Sequence, residues 1–206
     1  MGQVELRSAV MSRVFARSAT DETSVRVPLA ELGLEHPERQ PYVPSAWWVL
    51  RWLLPVSDVE SGDVFVEFGC GKGRIVVDAA RRYRFDRVVG VELSPELSTV
   101  ARSVVTQSGR LKCPDVTIEN VDATTYAIPA AMSHGYLFNP FNGAIFQQVL
   151  DNIVQSLDEN PRSLRLIYVN PIEHDAVMAT GRFRVTRRVR TTRVVSTVEA
   201  AIYEAV

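Results

Sequence analysis

"VFVEFGCGKGRIVVDAARRY", residues 64 to 83, is the stretch on which the fold turns. Val64 to Phe68 form a short, almost wholly apolar run that reads as a buried strand. Behind it, Ile75, Val76, Ala79 and Ala80 recur at helical spacing and give a helix one inward face. Gly69, Gly71 and Gly73 fill the turn between the two. Glycine reaches positive φ without steric cost and lets another group touch the backbone. The free N–H groups at the start of the helix carry partial positive charge. A turn of this kind commonly receives a nucleotide or a nucleotide-like cofactor. Glu67, just before the glycines, would repel a pyrophosphate and suit a cationic group.

The same alternation continues along the chain. "DRVVGVEL" at 86–93 reads as a second strand. Ser94 then caps a helix with Pro95 at its first position and Gly109 behind its end. "DVTIEN" at 115–120, "GYLFN" at 135–139 and "SLRLIYVNP" at 163–171 read as further strands, with a helix over "AIFQQVLDNIVQSL" between the last two. The end of the chain alternates in β-branched residues and reads as two antiparallel strands joined around Thr191–Arg193. On the other side of the glycine turn, Ser45 is placed to cap a helix that Pro55 ends, carrying Trp47, Trp48 and Trp52. Residues 21–44 read as an irregular arm rich in Pro and charge, and residues 1–20 as a short helix. Strands alternating with helices predict an α/β fold. The expected architecture is a doubly wound, mostly parallel seven-stranded sheet with helices on both faces and a C-terminal antiparallel β-hairpin. It would form a single domain, residues 45–206, preceded by an arm or lid at 1–44. In such sheets ligands bind outside the carboxyl ends of the strands, near the switch in strand order.

Composition narrows the function. The 206 residues are 46% hydrophobic, enough for one sizeable core, and the formal net charge is −1, so no global field draws in nucleic acid or an anionic membrane. The arginines at 182–193 alternate along strands and read as a solvated face, so nucleic acid is not an expected partner. Cys70 and Cys113 have no zinc-type spacing, and no metal site is expected. With no apolar stretch long enough for a leader or a span, the expected placement is cytoplasmic.

Two nucleotide fingerprints fail on spacing. A dinucleotide loop needs its third glycine at the sixth position, where Arg74 stands, and a phosphate-binding P-loop needs Ser or Thr after Gly-Lys, where Gly73 stands. The stretch Glu67-Phe68-Gly69-Cys70-Gly71-Lys72-Gly73 instead resembles the first motif of the class I, Rossmann-like S-adenosylmethionine-dependent methyltransferases, particularly small bacterial ones. Three further signals follow in order. Glu92 ends the second strand, where the family holds the ribose hydroxyls. Asp122, with Ala123, follows the third strand, where the adenine amino group is held. Asn139-Pro140-Phe141 ends the fourth, where the active-site motif lies. "QPYVPSAW" adds a segment similar to one that folds over the methionine end of the cofactor in related enzymes, with Tyr42 near the sulfonium. The resemblance spans about residues 40–171. The cofactor-binding set it implies is Tyr42, Pro44, Ser45, Glu67, Gly69, Cys70, Gly71, Gly73, Glu92, Leu93, Asp122, Ala123 and Asn139.

Asn139-Pro140-Phe141 is similar to part of the Asn/Asp-Pro-Pro-Tyr/Phe motif of amino-group methyltransferases. There the Asn side chain and the following Pro carbonyl accept hydrogen bonds from the target nitrogen, and the aromatic face meets its developing charge. Carried over, Asn139, Pro140 and Phe141, with Tyr42, form the catalytic set; this chain has one Pro where the family has two. A second Asn-Pro, Asn170-Pro171, ends the fifth strand, and His174 behind it is a candidate base for an oxygen acceptor. The resemblance implies S-adenosyl-L-methionine as cofactor. The methyl acceptor would be a nitrogen, or an oxygen, of a small molecule or a protein or peptide side chain. The alternatives are a non-catalytic cofactor-binding module and a nicotinamide-dependent oxidoreductase.

Overall fold

The computed structural model describes residues 22–193 and 196–206. Seven strands form one sheet: β1 (Val64–Phe68), β2 (Arg87–Glu92), β3 (Asp115–Asn120), β4 (Met132–Phe138), β5 (Arg165–Val169), β6 (Phe183–Arg193) and β7 (Ser196–Ala205), in the order β3-β2-β1-β4-β5-β7-β6. The first five run parallel; β7 lies antiparallel to β5, and β6 antiparallel to β7. β1 is buried at all five positions, as a parallel strand covered on both faces must be. Strand order reverses between β1 and β4, so their carboxyl ends open the crevice where a ligand is expected.

Among the described residues, five α-helices cover the sheet: α1 (Val49–Leu53), α2 (Arg74–Arg82), α3 (Pro95–Gln107), α4 (Gly143–Glu159) and α5 (His174–Ala179). Alternation along β1 sorts the core in two. Phe65 packs with Leu50, Ile75, Ala79 and Ala101 of α1, α2 and α3. Val66 and Phe68 pack with Phe146, Val149, Leu150 and Val177 of α4 and α5. This is the doubly wound sheet with a terminal hairpin that the sequence predicts. Among the described residues, no helix is long and apolar enough to cross a membrane.

Three local expectations are corrected. Ser45 does not cap α1, which starts at Val49 with Trp48 before it and no side-chain cap. The Ser45 carbonyl accepts from Arg74 Nε at 3.0 Å, and this contact holds the chain outside the helix. Thr191–Arg193 are not the hairpin turn; they are still strand, paired with Val198, Thr197 and Ser196. His174 opens α5, a helix missing from the expected elements because it is too short to show periodicity. The helix expected within residues 1–20 lies outside the described residues.

The hairpin overshoots its neighbour. β7 pairs with β5 only over Ala200–Glu204, yet begins at Ser196. Four further residues, about 13 Å of strand, therefore run past the carboxyl end of β5 on the crevice side. The last tie between them is Asn170 N–H donating to the Glu199 carbonyl at 2.7 Å.

Candidate active site

The three glycines of the β1–α2 turn all have positive φ: 72° at Gly69, 55° at Gly71 and 76° at Gly73. Each also faces a close neighbour. A Cβ on Gly69 would run into Pro140, one on Gly71 into the ring of Tyr42, and one on Gly73 into Ala101 of α3. The turn is tied to β2 by Gly69 N–H and Cys70 N–H, both donating to the Val91 carbonyl at 2.9 Å. Glu92, at the end of β2, braces it further: Oε2 accepts from Gly71 N–H and Oε1 from Ser94 N–H, each at 2.8 Å. Burial pushes the Glu92 carboxyl up. Glu67 is 3% exposed and accepts from Val76 N–H of α2 at 3.1 Å. Burial pushes its pKa well up, and the Glu92 charge adds to the shift.

Over this floor lies a cavity of about 450 Å³, within the range of small-molecule and cofactor sites. Its wall brings together Tyr42, Ser45, Glu67, Gly69, Cys70, Gly71, Glu92, Leu93, Asp122, Ala123, Asn139, Pro140 and Phe141, all named from the sequence. Pro44 and Gly73 are not part of that wall, because Gly73 turns toward α3. Asp122 caps its own turn, with Oδ1 accepting from Thr124 N–H at 2.9 Å and Thr124 Oγ–H at 2.7 Å. Its Oδ2 lies 3.8 Å from Arg39 Nη2.

Asn139, directly after β4, has φ 43°, and its Oδ1 is buried without a hydrogen-bond partner. An unpaired buried carbonyl is costly. Pro140 wedges against Gly69, and its carbonyl takes the N–H of Gln40 at 3.1 Å. Phe141 is 7% exposed, its ring 6.4 Å from that of Phe146. His174 is not in the wall: Nδ1 lies 2.7 Å from the Tyr203 hydroxyl, and Nε2 contacts the Arg188 guanidinium. With both ring nitrogens engaged there, the sequence-based role of base has no structural opening.

The arm, residues 22–45, crosses the mouth of the cavity and accounts for what sequence reasoning missed. Arg74, buried at the start of α2, donates from Nη1 to Thr23 Oγ1 at 2.9 Å and to Ser24 Oγ at 3.2 Å, and stacks 4.3 Å from the Trp47 ring. Tyr42 is paired with Val27 through the backbone, and its hydroxyl donates to the Thr23 carbonyl at 2.6 Å. That hydroxyl is therefore committed to the arm, and only the ring faces the glycine turn. Lys72 Nζ lies 5.3 Å from the Tyr42 ring centroid. At the far end, Glu38 accepts from Ala144 N–H at 3.0 Å and Ile145 N–H at 3.2 Å, capping α4 and lowering its own pKa. Between these anchors Leu29, Leu32 and Leu34 line the cavity, half-buried. Three leucines in a polar arm were the available signal.

The donor set suits S-adenosylmethionine. Glu92 and Asp122 are carboxylates with lone pairs to spare, and Leu93, Leu97, Val121 and Ala123 give the wall near them an apolar surface. Among the described residues no cluster of three or more metal-ligating side chains occurs.

Residues 65–160 match the methyltransferase domain family. A protein-lysine N-methyltransferase of Saccharolobus islandicus is 35% identical over 69 residues, 34% of this chain and 43% of that protein, so the match spans less than half of the relative. Among solved structures, an RNA methyltransferase of Salinibacter ruber with S-adenosyl-L-homocysteine superposes with a TM-score of 0.56 at 24% identity, covering 79% of this chain and 92% of that one. Magnesium protoporphyrin IX methyltransferase of Synechocystis PCC 6803, with bound cofactor, does so with a TM-score of 0.57 at 15% identity, covering 77% and 76%. Over residues 65–160 the chain is similar to that domain family, and its fold is the one these methyltransferases share. The neighbours' acceptors range from RNA to a porphyrin, so the sequence-based expectation against nucleic acid finds no support in them.

Proposed function

We propose that the protein is an S-adenosylmethionine-dependent methyltransferase acting on a nitrogen. The observation that carries the reading is the partnerless Oδ1 of Asn139, set in one cavity with the glycine turn and Glu92. When bound, the sulfonium supplies an activated methyl: the acceptor's lone pair forms the new bond to carbon as the C–S bond breaks and its electron pair stays on sulfur.

The protein's own tasks are alignment and exclusion of water. Glu92 and Asp122 hold the nucleoside end. Asn139 orients the acceptor by taking one of its N–H groups. The arm, with Tyr42 on Gly71 and the three leucines above, closes the cavity over the chemistry. A neutral amine needs no general base, since its proton leaves to water after transfer. The lysine-methylating relative supports an amino acceptor; a ribose hydroxyl or a small oxygen nucleophile would need a residue to take the proton.

Isothermal titration with S-adenosylmethionine, S-adenosylhomocysteine and NAD tests the cofactor. Binding of the first two and not the third is expected; binding of NAD alone would make the nicotinamide reading correct. Transfer of labelled methyl to protein, RNA or small molecules in cell extract tests catalysis. Asn139→Ala should hold cofactor affinity within several-fold while cutting that transfer by roughly ten- to a thousandfold. Undiminished transfer would move the chemistry elsewhere.

A further inference from the structure

Among the described residues, the two non-glycine residues with positive φ are Asn139 (43°) and Asn170 (51°). Both precede a proline, and both line the same cavity. Left-handed backbone in a side-chain-bearing residue stores of order 1 kcal/mol and tends to mark functional sites. The register explains why these two belong together. Phe138 of β4 pairs with Val169 of β5. Asn139 and Asn170 therefore leave neighbouring parallel strands at the same level, their backbones about 4.8 Å apart.

Each turn is fixed by its backbone. Pro140 is wedged on Gly69 and bound to Gln40 N–H. Asn170 donates its N–H to Glu199 at 2.7 Å and accepts from Ile172 N–H at 2.8 Å. Neither carboxamide has a hydrogen-bond partner among the described residues, and the Oδ1 of Asn139 is fully buried. The fixed backbones thus set two residues with neutral amide side chains next to each other where the tips of β4 and β5 line the cavity. Meanwhile the Pro140 carbonyl, which would otherwise face the acceptor, is held by the arm.

We infer that Asn139 and Asn170 form a paired carboxamide cradle for the acceptor nitrogen, and that the acceptor is a primary amino group. The inference rests on the methyltransferase reading. Two acceptors at one level match a nitrogen with two N–H donors; a hydroxyl or a secondary amine offers one. Their neutrality matters as well. A carboxylate here would hold the amine protonated and without a lone pair, whereas amides orient the neutral form. Asn170 is the positioning residue that no motif before β5 could supply.

Sinefungin is a direct probe, because it carries an amino group where the cofactor carries its methyl. Its affinity relative to S-adenosylhomocysteine, by titration, reads the cradle without turnover. The wild-type protein should prefer sinefungin by at least tenfold, the scale of hydrogen bonds to a charged group. Asn170→Gly keeps the left-handed turn and deletes only the amide; it should lose about tenfold of that preference while S-adenosylhomocysteine binding holds within about twofold. Asn170→Asp should raise the preference. An unchanged ratio in Asn170→Gly, or no preference in the wild type, overturns the cradle. Failure of S-adenosylhomocysteine to bind the wild type at all would overturn the methyltransferase reading, and the cradle with it.

Discussion

Replacing Gly71 by alanine asks whether the glycine turn and the arm are fitted to each other. Gly71 has φ 55°, and the ring of Tyr42 lies directly on it. An added methyl group would sit roughly 1 Å inside ordinary contact with Cδ2 and Cε2 of that ring. The ring is not free to swing away. Its hydroxyl is held by the Thr23 carbonyl at 2.6 Å, and its backbone pairs with Val27 at 3.0 and 3.1 Å. Left-handed backbone costs alanine about 1 kcal/mol, and overpacking against a tethered side chain costs about 1–3 kcal/mol more. The steric share, about 1–3 kcal/mol, should fall on closure of the arm, and the backbone share on the β1–α2 turn itself. S-adenosylhomocysteine should then bind about 5- to 150-fold more weakly, with a melting temperature lower by only a few degrees. Titration of wild type, Gly71→Ala, Tyr42→Ala and the double variant closes a thermodynamic cycle. The steric share, about 1–3 kcal/mol, should return when both changes are combined. Wild-type affinity in Gly71→Ala, or strictly additive losses in the cycle, would refute the fit.

Arg74→Leu removes the guanidinium contacts to Ser45, Thr23 and Ser24 and the stacking on Trp47; trypsin should cut at Arg26 and Arg39 at least tenfold faster, and an unchanged rate would end the anchoring role. His134 gives the pH prediction: it is 5% exposed, and burial pushes its pKa down to about 4 from 6.5. The unfolded chain therefore binds this proton more tightly, so the contribution is complete above pH 6.5 and shrinks as pH falls toward 4, by about 3 kcal/mol in all. Denaturant titrations across that window should show a steeper acid loss for wild type than for His134→Leu; parallel curves would show that His134 does not titrate as described.

The elements whose evidence is local were legible in the chain. β1 and α2 announce themselves by period, α3 by Ser94, Pro95 and Gly109, and the residues expected at the strand tips mostly line one cavity. What was hidden depends on partners far away in sequence. Glu38 caps α4 from 106 residues upstream, a distance at which no capping pattern can be recognised. Arg74, which excluded the dinucleotide fingerprint, gave no sign of reaching back to Thr23. α5 was lost because six residues are too few to show a period, and the overshoot of β7 because register is invisible in one strand.

The glycines show most clearly how a correct reading can rest on an incomplete reason. Ligand approach explains a bare backbone at Gly69 and Gly71, but in the structure those positions are filled by Pro140 and Tyr42. The motif thus serves internal packing as well, and a chain that kept the fold while losing catalysis would still need it. Glycines alone therefore do not separate an enzyme from a scaffold. Asn139 does. Packing gains nothing from a buried carbonyl without a donor, and a protein relieved of chemistry could put a glycine at that left-handed turn with less strain. On the proposed reading, the residue least favourable to stability at the tip of β4 is the one assigned to the acceptor nitrogen.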